Sequence, residues 1–347
     1  MATPMRWSGQ RADKSDDGAL PGLSGFVRTV RMPEFQGVTF HEVLAKSALN
    51  HVPQDARMLP GEWTLNPYRG CTHACQYCFA RPTHTRLGLN VAGDFDREII
   101  VKTNIVEILR AELARKRTLP PRVAFGTNTD VYQRAEGRYQ LMPGIIDALA
   151  GARVPFSILT KSPLIRRDLD RLVKASRVTT VHLGLSISIM DEDLRESVEF
   201  GTATTAARLA TLRDIRAAGL DCTVFLSPIL PRLTDSDEQL EELVDAVTKA
   251  GVTDVLYTPL YLSNGVKDVF MTWLKNAQPH LVEDYTRLYG KGSEALQEYR
   301  DALRTRILPV IARHGLPAPS DETEDKFALH GNRGRVVAPE PAQPTLF

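Results

Sequence analysis

From residue 63 onward the chain alternates short β-rich runs with longer amphipathic stretches, and no other feature limits its fold so tightly. The β-rich runs are 64–66, 123–125, 156–159, 181–186, 223–226 and 255–258. Between them, 102–117, 143–151, 164–175, 204–218 and 237–250 carry apolar residues at three- and four-residue spacing, which predicts helices. Several end near Gly151, Gly219 or Gly251, and glycine readily takes the left-handed conformation beyond a helix end. Consecutive strands separated by helices pair in parallel, since a parallel connection needs the length of a crossover. Six such units predict an α/β protein, either a barrel or a doubly wound sheet; the polar residues that follow the strands favour a partial (β/α)6 TIM-type barrel. Polar residues follow the strands at 127–130, Thr160 and Lys161, Ser186 and Ser188, and Ser227. The carboxyl ends of barrel strands form the rim where chemistry occurs, so a site is expected there.

Around this core the sequence divides further. Residues 1–24 are rich in Gly, Ser, Pro and charge and read as a mobile arm. Residues 25–60 read as an N-terminal extension, 61–262 as the core, 263–318 as a charged helical region and 319–347 as a flexible tail. With 24% charged residues and a formal charge of +1, the chain is no general basic coat for nucleic acid, although a local basic groove is compatible with that balance. Arg6, Arg11, Asp13, Lys14, Asp16 and Asp17 leave no room for an apolar leader. The longest weakly polar stretch, 178–190, is about half of what a membrane helix needs. A cytoplasmic enzyme without a membrane partner is expected.

Three of the four cysteines fall within eight residues, in Asn66-Pro-Tyr-Arg-Gly-Cys71-Thr-His-Ala-Cys75-Gln-Tyr-Cys78. A C-x3-C-x2-C run lets three thiolates meet one small object. Four-iron clusters usually take four thiolates, so three ligands leave one iron open, and open positions are where metal sites react. The competing reading is a structural zinc site completed by His73 or His84, which lacks the paired half-sites zinc motifs usually show.

This loop after the first strand, with Tyr77 before the last cysteine, resembles the signature of the radical S-adenosylmethionine (SAM) superfamily. The words Gly126-Thr-Asn-Thr-Asp130-Val-Tyr-Gln, Leu159-Thr-Lys161-Ser and Leu185-Ser186-Ile-Ser resemble its spore photoproduct lyase-like branch, and residues 1–60 an extension seen in one of its subgroups. The resemblance implies a [4Fe–4S] cluster on Cys71, Cys75 and Cys78, SAM on the open iron, reductive cleavage of SAM to a 5′-deoxyadenosyl radical, and an electron donor such as flavodoxin or ferredoxin. It also implies that Tyr77 packs near the adenine, Thr129 and Asp130 meet the SAM amino group, and Lys161 meets its carboxylate. Ser186 would contact the ribose, with Ser188 as the alternative register, and the Ser227 segment would line the adenine. Glu199-Phe-Gly201-Thr202 and Arg208 match positions read as structural.

The match fails at one place. The lyase carries a hydrogen-donating cysteine where this chain has Asn128, and the remaining thiol, Cys222, falls at the opposite end of the fifth strand. Tyr132, Tyr257 and Tyr261 are the alternative relays. The chain ends Gln343-Pro-Thr-Leu346-Phe347, which resembles the peptide by which bacterial repair proteins bind the sliding clamp. The leading reading is a radical SAM enzyme acting on nucleic acid, a DNA lesion included, with Arg81, Arg86, Arg166, Arg167 and Arg171 as a basic path. Radical modification of a protein, peptide or small molecule is the second reading. A non-catalytic iron–sulfur adaptor tethered to the clamp is the third.

Overall fold

The computed structural model describes residues 20, 23–53, 62–263 and 265–319. The Gln343, Leu346 and Phe347 peptide lies outside them. Eleven strands are described: β1 (Phe26–Arg31), β2 (Thr39–Val43), β3 (Asn50–His51), β4 (Trp63–Thr64), β5 (Tyr68–Arg69), β6 (Glu98–Lys102), β7 (Val123–Phe125), β8 (Phe156–Thr160), β9 (Val181–Ser186), β10 (Cys222–Ile229) and β11 (Asp254–Pro259). The larger sheet has the order β11-β10-β9-β8-β7-β4-β3. Its six strands from β4 to β11 are parallel neighbours, while β3 adds antiparallel at the edge. These are the six strands expected from the sequence. The sheet curves through a partial barrel without an edge-to-edge pairing of β3 and β11.

The crossovers are the expected helices, with bounds that follow local chemistry. Helix Asp237–Lys249 opens on a capping box, in which Ser236 accepts from the Gln239 amide N–H and Gln239 returns a bond to the Ser236 N–H. The stretch read as one helix over 164–175 is a 3-10 turn, Pro163–Asp168, followed by an α-helix, Leu169–Ser176. The helix expected from 102 begins later, as Ile105–Arg115. Lys102 instead ends β6, whose Glu-Ile-Ile-Val-Lys sequence is rich in β-branched residues that pack well on a pleated surface.

β6 organises a second sheet, of order β1-β2-β6-β5. Strands β1 and β2 come from the N-terminal segment, and the wholly buried β2 lies parallel to β6. The N-terminal strands are thus sewn to the two strands that flank the cysteine loop. One apolar cluster runs from Phe35 through Phe125, Ile158, Leu185 and Val224 to Phe270, Leu303 and Ile311. The helices Val266–Ala277, Val282–Tyr289 and Gln297–Arg313 therefore pack into the same core as the sheet. No described helix is long and apolar enough to cross a membrane.

Candidate active site

At the carboxyl ends of β7 to β11 lies a cavity of about 440 Å³. Cys71, Cys75 and Cys78 line it together with Asn128, Thr129, Asp130, Lys161, Ser186 and Ser227. Tyr77 also lines it. Every residue assigned to cluster or SAM from the sequence therefore borders one space. Thr129 and Asp130 do so from the loop after β7, which ends at Phe125, rather than from the strand itself. Ser186 faces the cavity; Ser188 is buried without a hydrogen-bond partner and does not line it.

The cysteine loop is held from several directions. Gln133 accepts a hydrogen bond from the Thr72 N–H at 2.9 Å and donates to the Gly70 carbonyl at 3.0 Å and to the Thr129 hydroxyl at 2.8 Å. Thr129 in turn donates to the Gly70 carbonyl at 2.7 Å. Arg81, fully buried, donates to the Cys75 carbonyl at 2.9 Å and pairs with Asp96 at 2.9 Å. On the far side the Gly201 N–H reaches the His73 carbonyl at 3.0 Å. A Cβ on Gly201 would stand 1.9 Å from the Thr72 carbonyl oxygen, so only glycine allows that approach.

Glu199 ties the loop to the strand ends. Its buried carboxylate accepts from the Tyr77 hydroxyl, from Lys161 Nζ at 2.9 Å and from Arg208 Nη2 at 2.6 Å. Lys161 Nζ also donates to Ser186 Oγ at 2.6 Å, and Ser186 Oγ donates to the Ser227 carbonyl at 3.0 Å. Burial pushes the Lys161 ammonium down to about 8 from its ordinary 10.5. Asp130 accepts from Thr160 Oγ1 at 2.7 Å and from the backbone N–H groups of Tyr132 and Lys161 at 2.8 and 2.7 Å. His73 Nδ1 lies 3.3 Å from the same carboxylate. Burial lowers the His73 pKa, and the neighbouring Asp130 opposes that shift.

Burial also raises all three cysteine thiols, strongly so for Cys71 and Cys75. Thiols of that kind lose their protons to a cationic metal rather than to water. Among the described residues no three His, Cys, Asp or Glu side chains are grouped so as to hold a metal ion. Three thiols on one loop bordering a single cavity suit a cluster in which each thiolate meets its own iron. His84, named as a zinc ligand, is buried outside the cavity with Nε2 on the Glu98 carbonyl.

Several expectations are corrected here. Arg81 is a loop anchor and has no surface for a nucleic acid. Arg166, Arg167 and Arg171 are engaged with Asp214, with Glu136 and Asp168, and with Asp147. Of the three tyrosines considered as relays, Tyr261 borders the cavity; Tyr132 is buried against Asp168, and Tyr257 packs on the core. Cys222 is buried at the start of β10, away from the cavity.

Residues 65–256 match the model of the radical SAM superfamily. The chain belongs to that superfamily. An uncharacterised protein of Mycobacterium tuberculosis is 49% identical across 99% of this chain and all of its own length. One from Methanocaldococcus jannaschii is 27% identical over 53% of this chain and 66% of its own. Among solved structures, spore photoproduct lyase complexed with dinucleoside spore photoproduct superposes with a TM-score of 0.58 at 17% identity, covering 79% of each chain. A variant of that lyase with bound AdoMet and the same dinucleoside gives 0.55 at 17% identity, over 73% of this chain and 74% of that one. The radical SAM core is thus built on the lyase fold, and the superfamily makes the chain an enzyme whose family cofactors are SAM and an iron–sulfur cluster.

Proposed function

We propose that Cys71, Cys75 and Cys78 hold a [4Fe–4S] cluster, that the cavity binds SAM, and that the radical so generated acts on nucleic acid. The observation that carries this reading is the meeting of the three thiols with Lys161, Ser186 and Asp130 around one cavity. When bound, the cluster supplies an electron that cleaves SAM to the 5′-deoxyadenosyl radical.

The protein groups then divide the work. Lys161 lies on the cavity wall as a cation and meets the SAM carboxylate, while Glu199 and Ser186 fix its position. The SAM amino group sits on the Asp130 side. A carboxylate has about four acceptor positions; Thr160, Tyr132 and Lys161 take three at Asp130, and the fourth receives the ammonium. Tyr77, 5.8 Å below Lys161 Nζ, supplies an aromatic face for adenine. Ser186 serves the ribose, and the Ser227 segment the adenine edge. Thr129 acts by holding the cysteine loop, since its hydroxyl is spent on Gly70 and Gln133. A small electron-transfer protein such as flavodoxin or ferredoxin supplies the reductant.

The nucleic-acid reading draws support from the dinucleoside held by the lyase of similar fold. With Asn128 at the cavity, the reaction is one that needs no protein thiol beyond the cluster ligands. Protein reconstituted anaerobically with iron and sulfide, then given SAM and dithionite, is expected to release 5′-deoxyadenosine. A Cys71→Ala, Cys75→Ala, Cys78→Ala chain is expected to release none. Wild-type protein carrying a full cluster and producing no 5′-deoxyadenosine would sink the reading.

A further inference from the structure

A second cavity, also of about 440 Å³, adjoins the first and shares Asn128 with it. It is lined by Asn66, Arg69, Arg86 and Lys102, with His51 on the edge strand β3. The three cations come from different elements: Arg69 from β5, Arg86 from the 3-10 turn Arg81–Leu87, and Lys102 from the end of β6. Burial, and next the neighbouring Arg69, push Lys102 down to about 8. The carboxylate that acts on Lys102, Glu112, is already bonded to the Ala48 and Leu49 amides at 3.0 Å each. Asn66, 8% exposed, carries a buried Oδ1 with no hydrogen-bond partner among the described residues. Turning that amide over would present N–H donors instead.

A chain of net charge +1 has gathered three cationic side chains from three elements around one hollow. An oxyanion is the complementary ligand, arginine forks match phosphate oxygens, and the Asn66 amide, turned over, adds an N–H donor. We infer that Arg69, Arg86, Lys102 and Asn66 bind backbone phosphate of a nucleic-acid strand, placing the adjoining nucleotide past Asn128 into the cysteine-walled cavity. The inference rests on the radical-enzyme reading and gives its nucleic-acid substrate a docking site. A ligand that fills both cavities carries its charge in one and its reacting carbon in the other.

The test uses the full-length, cluster-loaded protein and a fluorescein-labelled single-stranded DNA of about ten nucleotides, titrated by anisotropy at several salt concentrations. Lys102→Met and Arg86→Gln are each expected to weaken binding about five- to tenfold and to reduce the salt slope by about 0.7 per charge removed. Lys102→Arg is expected to bind like wild type, and so is Lys275→Met, an exposed site outside both cavities. Thermal melts of Lys102→Met confirm that it is folded. Wild-type affinity and slope in both Lys102→Met and Arg86→Gln would overturn the inference. Competition separates the sources of phosphate: a dinucleotide with its internucleotide phosphate displaces the probe, and the two free nucleosides do not. Displacement by inorganic phosphate at the dinucleotide's own concentration would overturn the strand assignment. Release of 5′-deoxyadenosine without DNA is measured on every variant. Its absence in wild type counts against the radical reading alone, and its persistence in a variant that has lost DNA binding places the fault in the groove.

Discussion

Glu199, without exposed surface, holds two cations and a phenol in place. Glu199→Ala leaves Lys161 and Arg208 as buried cations without their carboxylate, and removing one partner of a buried pair costs about 3–5 kcal/mol. Denaturant titration is expected to show a loss of that size, together with a looser Tyr77. Lys102 gives a prediction of opposite sign. Its pKa in the fold, about 8, is below the ordinary 10.5, so the unfolded chain binds the proton more tightly. That costs stability at pH values below 8, and the cost fades as pH rises from 8 to 10.5. Lys102→Met should melt above wild type at pH 7, by a margin that shrinks toward pH 10. Equal margins at both pH values would refute the assignment. The sequence made the cysteines and Lys161 legible because each is marked by its neighbours: a tight spacing, or the end of a β run. Gln133 and the His73–Asp130 contact carried no such mark. Their partners lie 57 or more residues away along the chain, and side-chain contacts across that distance leave no local period.

At the scale of elements, the cysteine loop depends on two supports that differ in kind. Gln133→Leu removes the bond to the Thr72 N–H and leaves a buried donor unsatisfied, at about 1–3 kcal/mol. Gly201→Ala forces a methyl carbon into the Thr72 carbonyl, and overpacking of this kind costs about 1–3 kcal/mol. Both variants are expected to bind less iron per chain and lose it faster to a chelator, with circular dichroism like wild type. Unchanged iron retention in both would show that the loop does not need these supports. The parallel strands were readable because each is bounded by a helix of its own. The second sheet was not, since β2 and β6 become a pair only when 55 or so residues between them have folded.

For the whole molecule, the shared core decides what can be cut away. Truncation after Leu262 removes Val266, Phe270, Leu274, Tyr285, Tyr289, Tyr299, Leu303 and Ile307, all buried in the cluster that also holds the strands. At about 1.5–3 kcal/mol for each side chain, the loss is as large as or larger than the roughly 5–15 kcal/mol by which whole domains are stable. The truncated chain is expected to be insoluble or to melt without a cooperative transition, by calorimetry. A cooperative melt would show that the carboxyl-terminal helices are dispensable.

The unpaired edges of β3 and β11 have a topological meaning. A closed ring fixes its circumference by hydrogen-bond register at every joint. Here the separation of the two edges, one of which carries His51, is set by side-chain packing instead, so the width of the rim can change by repacking without breaking a ladder.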